Sequence, residues 1–124
     1  MVWLTGLIVL VVLILLIPSV KEKIFKTKID HGFMIEKGKY KNGKKEGKWI
    51  SYGKSDGQLM WETNYKDGKE DGKSATYYES GELHIFANYK EGELDGYTIW
   101  YDKKGNEKKI EYYKDGTLLK ETKF

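Results

Sequence analysis

YKDGKEDGKSATYYESGEL, from Tyr65 to Leu83, is the stretch that decides the fold. Two Asp-Gly dipeptides, Asp67-Gly68 and Asp71-Gly72, precede a run rich in β-branched and aromatic residues, and Ser80-Gly81 follows it. Glycine adopts positive φ without steric cost and aspartate tolerates it, so these dipeptides predict tight turns. The run between them predicts a strand.

The same frame recurs on both sides, as YKNGKKEGKWISY from Tyr40 and YKEGELDGYTIWYDKKG from Tyr89. Gly43, Gly68 and Gly92 are separated by 25 and 24 residues, and Gly47, Gly72 and Gly96 repeat those intervals. Gly57, Gly81 and Gly105 stand 24 apart, which confines the one extra residue to the segment between Gly47 and Gly57. A period of this size means stacked supersecondary units. Asn42-Gly43, Asp56-Gly57 and Asp95-Gly96 are read as further turns, giving an elongated antiparallel meander of β-hairpins, an all-β fold. Residues 31–124 hold three units of about 24 residues plus partial hairpins at both ends.

An aromatic residue stands eight positions after a glycine five times: Tyr40, Tyr65, Tyr89, Tyr113 and Phe124. Met34, Leu59, Leu83, Glu107 and Leu118 stand two after the same glycines. Both offsets are even, so each pair is expected on one strand face. Ile50, Ala75 and Ile99 align in the preceding strands, as do Tyr52, Tyr77 and Tyr101, and both sets are assigned to one apolar side of the sheet. Phe124 stands at the aromatic position of a last, shortened hairpin, from which an intact C-terminus is expected. The tryptophans break the repeat. Trp49 aligns with Ser74 and Thr98, Trp61 with Ile85 and Lys109, and these two with Trp100 are the candidates for a binding surface.

All charged residues, 22 basic and 19 acidic, lie after position 20. From Val2 to Val20 the chain is an uncharged, mostly aliphatic block, roughly 28 Å long as a helix, enough to span a bilayer core. Residues 1–20 are therefore read as one transmembrane anchor, with a secretory signal as the alternative. Residues 21–30, with Lys21, Lys23, Lys26 and Lys28, form a basic juxtamembrane linker. Lysines on that side predict that the repeats face the cytoplasm. The alternative places them outside the cell or in the periplasm.

The pattern Y-K-[DEN]-G-K-x-[DE]-G, followed by aromatics and [DS]-G-x-L, resembles the MORN repeat variants grouped as YwqK-like antitoxin-component proteins. The resemblance covers about residues 31–124 and is carried best by Tyr65–Leu83. Glu107 departs from it, standing where leucine is expected. It implies a hairpin array used for protein contacts, a partner neutralised in the manner of an antitoxin, and phospholipid contact as proposed for the parent repeats. It implies no catalytic residue.

The remaining residues point the same way. There is no cysteine, which removes disulfides and thiolate chemistry. His31 and His84, 53 residues apart, lack metal-ligand spacing, and Ser80 belongs to a turn. Glu70, Asp71, Glu93 and Asp95 are assigned to inter-strand loops. Lysines are matched by nearby acids, which excludes a nucleic-acid tract despite the interleaved aromatics. The expectation is a non-enzymatic, membrane-tethered module without cofactor or metal. Its partner is a protein, a toxin among the candidates. The alternatives are anionic lipid or, for an exported chain, a glycan.

Overall fold

The structure, a computed structural model, describes residues 24–124, and the predicted anchor at 1–20 lies outside them. Ten strands follow one another: β1 (Ile24–Asp30), β2 (Met34–Lys41), β3 (Lys44–Gly53), β4 (Leu59–Lys66), β5 (Lys69–Tyr77), β6 (Leu83–Lys90), β7 (Glu93–Leu94), β8 (Gly96–Tyr101), β9 (Glu107–Lys114) and β10 (Thr117–Lys123). They form one antiparallel sheet in sequence order, with the short β7 continuing the line of β8 against β6. The all-β meander is thus as the glycine spacing predicts. It begins earlier than expected: residues 24–30, assigned to the linker, are β1 and pair with β2 along their whole length. Among the described residues no helix is long and apolar enough to cross a membrane.

Two kinds of turn alternate. On one side Asn42-Gly43, Asp67-Gly68, Glu91-Gly92 and Asp115-Gly116 all have positive φ at both residues. That is the two-residue hairpin geometry whose twist matches that of the strands. On the other side Gly81 and Gly105 close longer loops by donating to the carbonyls of Tyr78 and Asp102. The loop after β3 contains the extra residue of unit one, since Tyr52 pairs with Leu59 where Tyr77 pairs with Leu83.

Asp71-Gly72 and Asp95-Gly96 are not turns. Gly47, Gly72 and Gly96 have φ of 69°, 102° and 105° and sit at wide bulges near the start of the second strand of each hairpin. There two steps of one strand oppose four of the other, as between Lys37/Ile50 and Lys39/Glu46. Each bulge then holds the next hairpin. The carbonyls of Lys45, Glu70 and Leu94 accept from the N–H groups of Gly68, Gly92 and Gly116 at 3.0, 2.8 and 2.8 Å. The carboxylates of Glu46, Asp71 and Asp95 accept from the N–H groups of Asp67, Glu91 and Asp115 at 3.1, 3.3 and 3.2 Å. Both outward N–H groups of the turns at Asp67-Gly68, Glu91-Gly92 and Asp115-Gly116 are satisfied by the preceding unit, so the second acidic-glycine dipeptide of the repeat is an inter-unit clasp.

A second set of bulges divides the predicted apolar side into two opposite faces. Tyr52, Tyr77 and Tyr101 pair with Leu59, Leu83 and Glu107, while Ser51, Thr76 and Trp100 pair with Trp61, Ile85 and Lys109. One residue is skipped each time, and in a period-2 chain that inverts the side chains beyond it. Leu59, Leu83 and Glu107 therefore lie opposite Tyr65, Tyr89 and Tyr113, with only Met34 and Tyr40 sharing a face as expected. One face, the tryptophan face, carries Trp49, Trp61, Trp100 and the four tyrosines. The other, the isoleucine face, carries the cross-sheet row Lys37, Ile50, Glu62, Ala75, Phe86, Ile99, Ile110 and Thr122.

Phe124 also departs from expectation. Gly116 continues the series Gly43, Gly68, Gly92, so β10 corresponds to β3, β5 and β8. Lys120 then occupies the place of Gly47, Gly72 and Gly96. A lysine does not readily take positive φ, and β10 has only a single-residue bulge at Leu119. Its pairing slips by one residue, placing Thr122 opposite Ile110 and turning Phe124 to the isoleucine face.

Candidate interaction surface

The three tryptophans lie on one face but in different settings. Trp49 on β3 is completely buried. Its indole N–H donates to the Lys39 carbonyl at 3.1 Å, and Tyr40 meets it edge-on with centroids 5.0 Å apart. Space for the ring comes from Gly38 on β2, where a methyl group would overlap three indole carbons. The neighbouring units are filled differently: Thr63 stands at the Gly38 position and bonds Ser74 at 2.7 Å, oxygen to oxygen. Ala87 and Thr98 form the third such pair. Each unit thus balances a larger residue against a smaller one, and Trp49 is the extreme case.

The ammonium of Lys45 caps this cluster. It lies 4.3 Å from the Trp49 ring, 5.0 Å from Tyr65 and 5.9 Å from Trp61. The buried carboxylate of Glu36 lies 3.3 Å from the same nitrogen, with His31 3.6 Å from Glu36. An aromatic cage with a carboxylate wall is the chemistry that binds ammonium ions, and Lys45 fills it.

Trp100, half-buried on β8, is held in a related way. Its N–H donates to Glu111 Oε2 at 3.0 Å, and Lys109 lies 4.5 Å over the ring and 2.7 Å from the same carboxyl group. Burial opposes ionisation of Glu111, but the bonds from Lys109 and Trp100 outweigh it and hold the group below the usual carboxylate range. His84 sits between Trp100 and Tyr78, stacked on the latter at 4.2 Å. Ser80 bonds Glu82 in the turn.

The tryptophan face is therefore closed by its own side chains. Seven of the nine buried residues among those described belong to it, from Glu36 and Trp49 to Glu111. Along its other margin Tyr65 and Tyr89 are pushed up in pKa by burial, with Glu70 adding to the effect. Trp49 offers no surface, and Trp61 and Trp100 are half-buried.

The opposite face is the open one. Ile50, Phe86, Ile99 and Ile110 are half-buried on it around a buried Ala75, flanked by Tyr52, Tyr77 and Tyr101. No second layer covers this row among the described residues. At the β1 end it widens into a groove lined by Ile50 and Leu59 and rimmed by Lys26, Lys37, Lys39 and Lys48, with the Glu62 carboxylate 2.6 Å from the Lys48 ammonium. At the β10 end stand Tyr97 and Tyr112, 5.0 Å apart, and Phe124.

In comparisons with known proteins the chain matches no family model and no curated protein.

Sequence reasoning selected residues that vary between units and so found the tryptophans. Ile50, Ala75 and Ile99 are expected on the same apolar side as Tyr65 and Tyr89, and the structure separates them because the inverting bulges have no glycine to announce them. One signal did exist: Gly38 stands outside every turn series, and a stray glycine within a strand marks a close approach by a neighbour.

Proposed function

We propose that this chain is a non-catalytic binding module whose isoleucine face docks a protein partner, held at a membrane by residues 1–20. The observation that carries this reading is the row Ile50, Ala75, Phe86, Ile99 and Ile110, left without a covering layer while the opposite face fills itself. Contiguous apolar surface rimmed by charge is characteristic of interaction sites. The hairpin period, and the tyrosine at a fixed place in each unit, support kinship with the MORN-variant repeats. On that reading the partner is a protein whose activity the module neutralises, and the repeats lie in the cytoplasm.

A photo-crosslinking residue at Ile99, compared with the same residue at Trp61, tests the choice of face in cells. The expected result is a discrete adduct from Ile99 that disappears when Phe86 is changed to Glu in the same chain. Equal labelling from both faces, or none from Ile99, overturns it.

A second reading is favoured by the lysine-rimmed groove beside β1: contact of this end of the sheet with anionic lipid headgroups. A polarity-sensitive dye on Lys48→Cys distinguishes the two. Its emission shifts when phosphatidylserine is added to nanodiscs holding the full chain if lipid is the partner, and stays constant if the face serves a protein.

A further inference from the structure

The last strand ends the repeat in a way that prepares its edge for something else. All seven residues of β10 are exposed. Of six exposed large apolar side chains among the described residues, three belong to this strand and its end: Leu118 at 44%, Leu119 at 61% and Phe124 at 65%. Leu119 stands where Glu46, Asp71 and Asp95 provide the clasp, and Lys120 where glycine forms the wide bulge. The edge therefore lacks the two features by which every earlier unit receives the turn of the next one, which disfavours head-to-tail addition of another copy.

The Phe124 N–H donates to Lys108 O at 3.0 Å across to β9. In an antiparallel ladder these groups alternate, so Lys120 and Thr122 also face β9 while Glu121 and Lys123 turn their N–H and C=O outward. We propose that this edge pairs with the same edge of a second copy, antiparallel, about a two-fold axis at Thr122.

The register follows from charge and symmetry. An axis normal to the sheet keeps each face continuous and places one residue opposite its own copy. At Lys120 or Lys123 that pairing sets lysine against lysine, and at Glu121 glutamate against glutamate, which is unfavourable on a strand pair. An axis at Leu119 leaves Lys123 and Phe124 beyond the partner strand. With the axis at Thr122, Glu121 faces the partner's Lys123 on the tryptophan face, and the reverse pair repeats it. On the isoleucine face Lys120 stands opposite the partner's Phe124, again twice. The outward groups of Glu121 and Lys123 complete four backbone hydrogen bonds, and the apolar rows of two sheets become continuous.

Thr122 then forms a non-hydrogen-bonded pair with its own copy, α-carbons about 4.5 Å apart, within reach of a disulfide. The chain has no native cysteine, so Thr122→Cys in the full chain, in detergent, gives a covalent dimer under mild oxidation. Glu121→Cys cross-links at least tenfold less. Glu121→Lys and Lys123→Glu each raise the dissociation constant at least tenfold in sedimentation, and mixing the two variants restores a dimer, because both ion pairs reform between unlike chains. A wild-type chain that stays monomeric at tens of micromolar overturns the proposal. So does a dimer that ignores both charge changes, as one formed through the N-terminal segment would, or cross-linking that is equal at the two cysteines.

Discussion

The indole of Trp49 covers the α-carbon of Gly38 so closely that no side chain fits between them. The two residues are on adjacent strands and act as one packing unit, because the ring that fills the centre of the first repeat exists only where its neighbour has none. Gly38→Ala forces the indole or the strand to move, and the expected cost is about 1–3 kcal/mol, as for overpacking elsewhere. Trp49→Ser loses the buried indole at a cost of about 3–5 kcal/mol, and Gly38→Thr added to it, which reproduces the Ser74–Thr63 pair, recovers part of that second loss. Chemical denaturation of the four proteins checks both statements, and Gly38→Ala unfolding at the wild-type midpoint contradicts the first.

Lys45 and Glu36 form the second coupled pair. Lys45→Met keeps the apolar stem but removes the cation from three rings and leaves His31, among the described residues, as the remaining ion-pair partner of the buried Glu36 carboxylate. Glu36→Gln removes the charge and leaves Lys45 in the cage. The double variant is expected to be more stable than the sum of the single effects allows, with a coupling of about 0.5–3 kcal/mol. Additive single effects would show that the cage and the ion pair are independent.

The inter-unit clasp predicts an acid dependence. The Asp95 carboxyl is held below its ordinary value of 3.8 by the Lys114 ammonium and then by the Asp115 N–H. Unfolded chain takes up this proton first as the pH falls, so the contribution is complete above 3.8 and is lost as the pH drops through the lower folded value. Asp95→Asn should flatten this part of the stability curve between pH 5 and 2. Asp71→Ala, one clasp earlier, should cost about 0.5–1.5 kcal/mol at neutral pH through a lost hydrogen bond.

Glu70 works with the opposite sign. Burial raises its pKa above the ordinary 4.5, with Lys45 only partly opposing. The folded chain takes its proton before the unfolded chain does, so the ionised group is a liability at neutral pH. Glu70→Gln should raise the melting temperature at pH 7, and the gain should vanish below pH 4.5. A gain that persists at pH 3 would place its cause outside this ionisation.

How much of this was legible depends on which residues announce themselves. Turn glycines recur at a fixed period and mark the meander, including the unit with the extra residue. The clasp was visible only as a second acidic-glycine dipeptide and read as a turn, because positive φ serves a bulge as well as a turn. Inverting bulges at Met60, His84 and Lys108 were invisible, since they need no special residue, and each one exchanges the faces beyond it. Trp49 was taken for surface because it varies between units, although Gly38 varies with it.

Lys120 gives the sharpest test of the bulge argument. If positive φ at this position sets the register, Lys120→Gly permits the wide bulge that Gly96 makes in β8. The two-residue insertion then moves Lys123 opposite Ile110, as Ile50 lies opposite Lys37, and carries Phe124 to the tryptophan face opposite Lys109. Contacts in nuclear Overhauser spectra should change accordingly, with the Phe124 ring leaving the Tyr97–Tyr112 side for Lys109. Covalent dimer formation through Thr122→Cys should fall in the same background, since the outward hydrogen-bonding residues exchange places. A Phe124 ring that stays beside Tyr112 after the substitution would show that Leu119, standing where the other units have a carboxylate, and not the lysine, sets the slip.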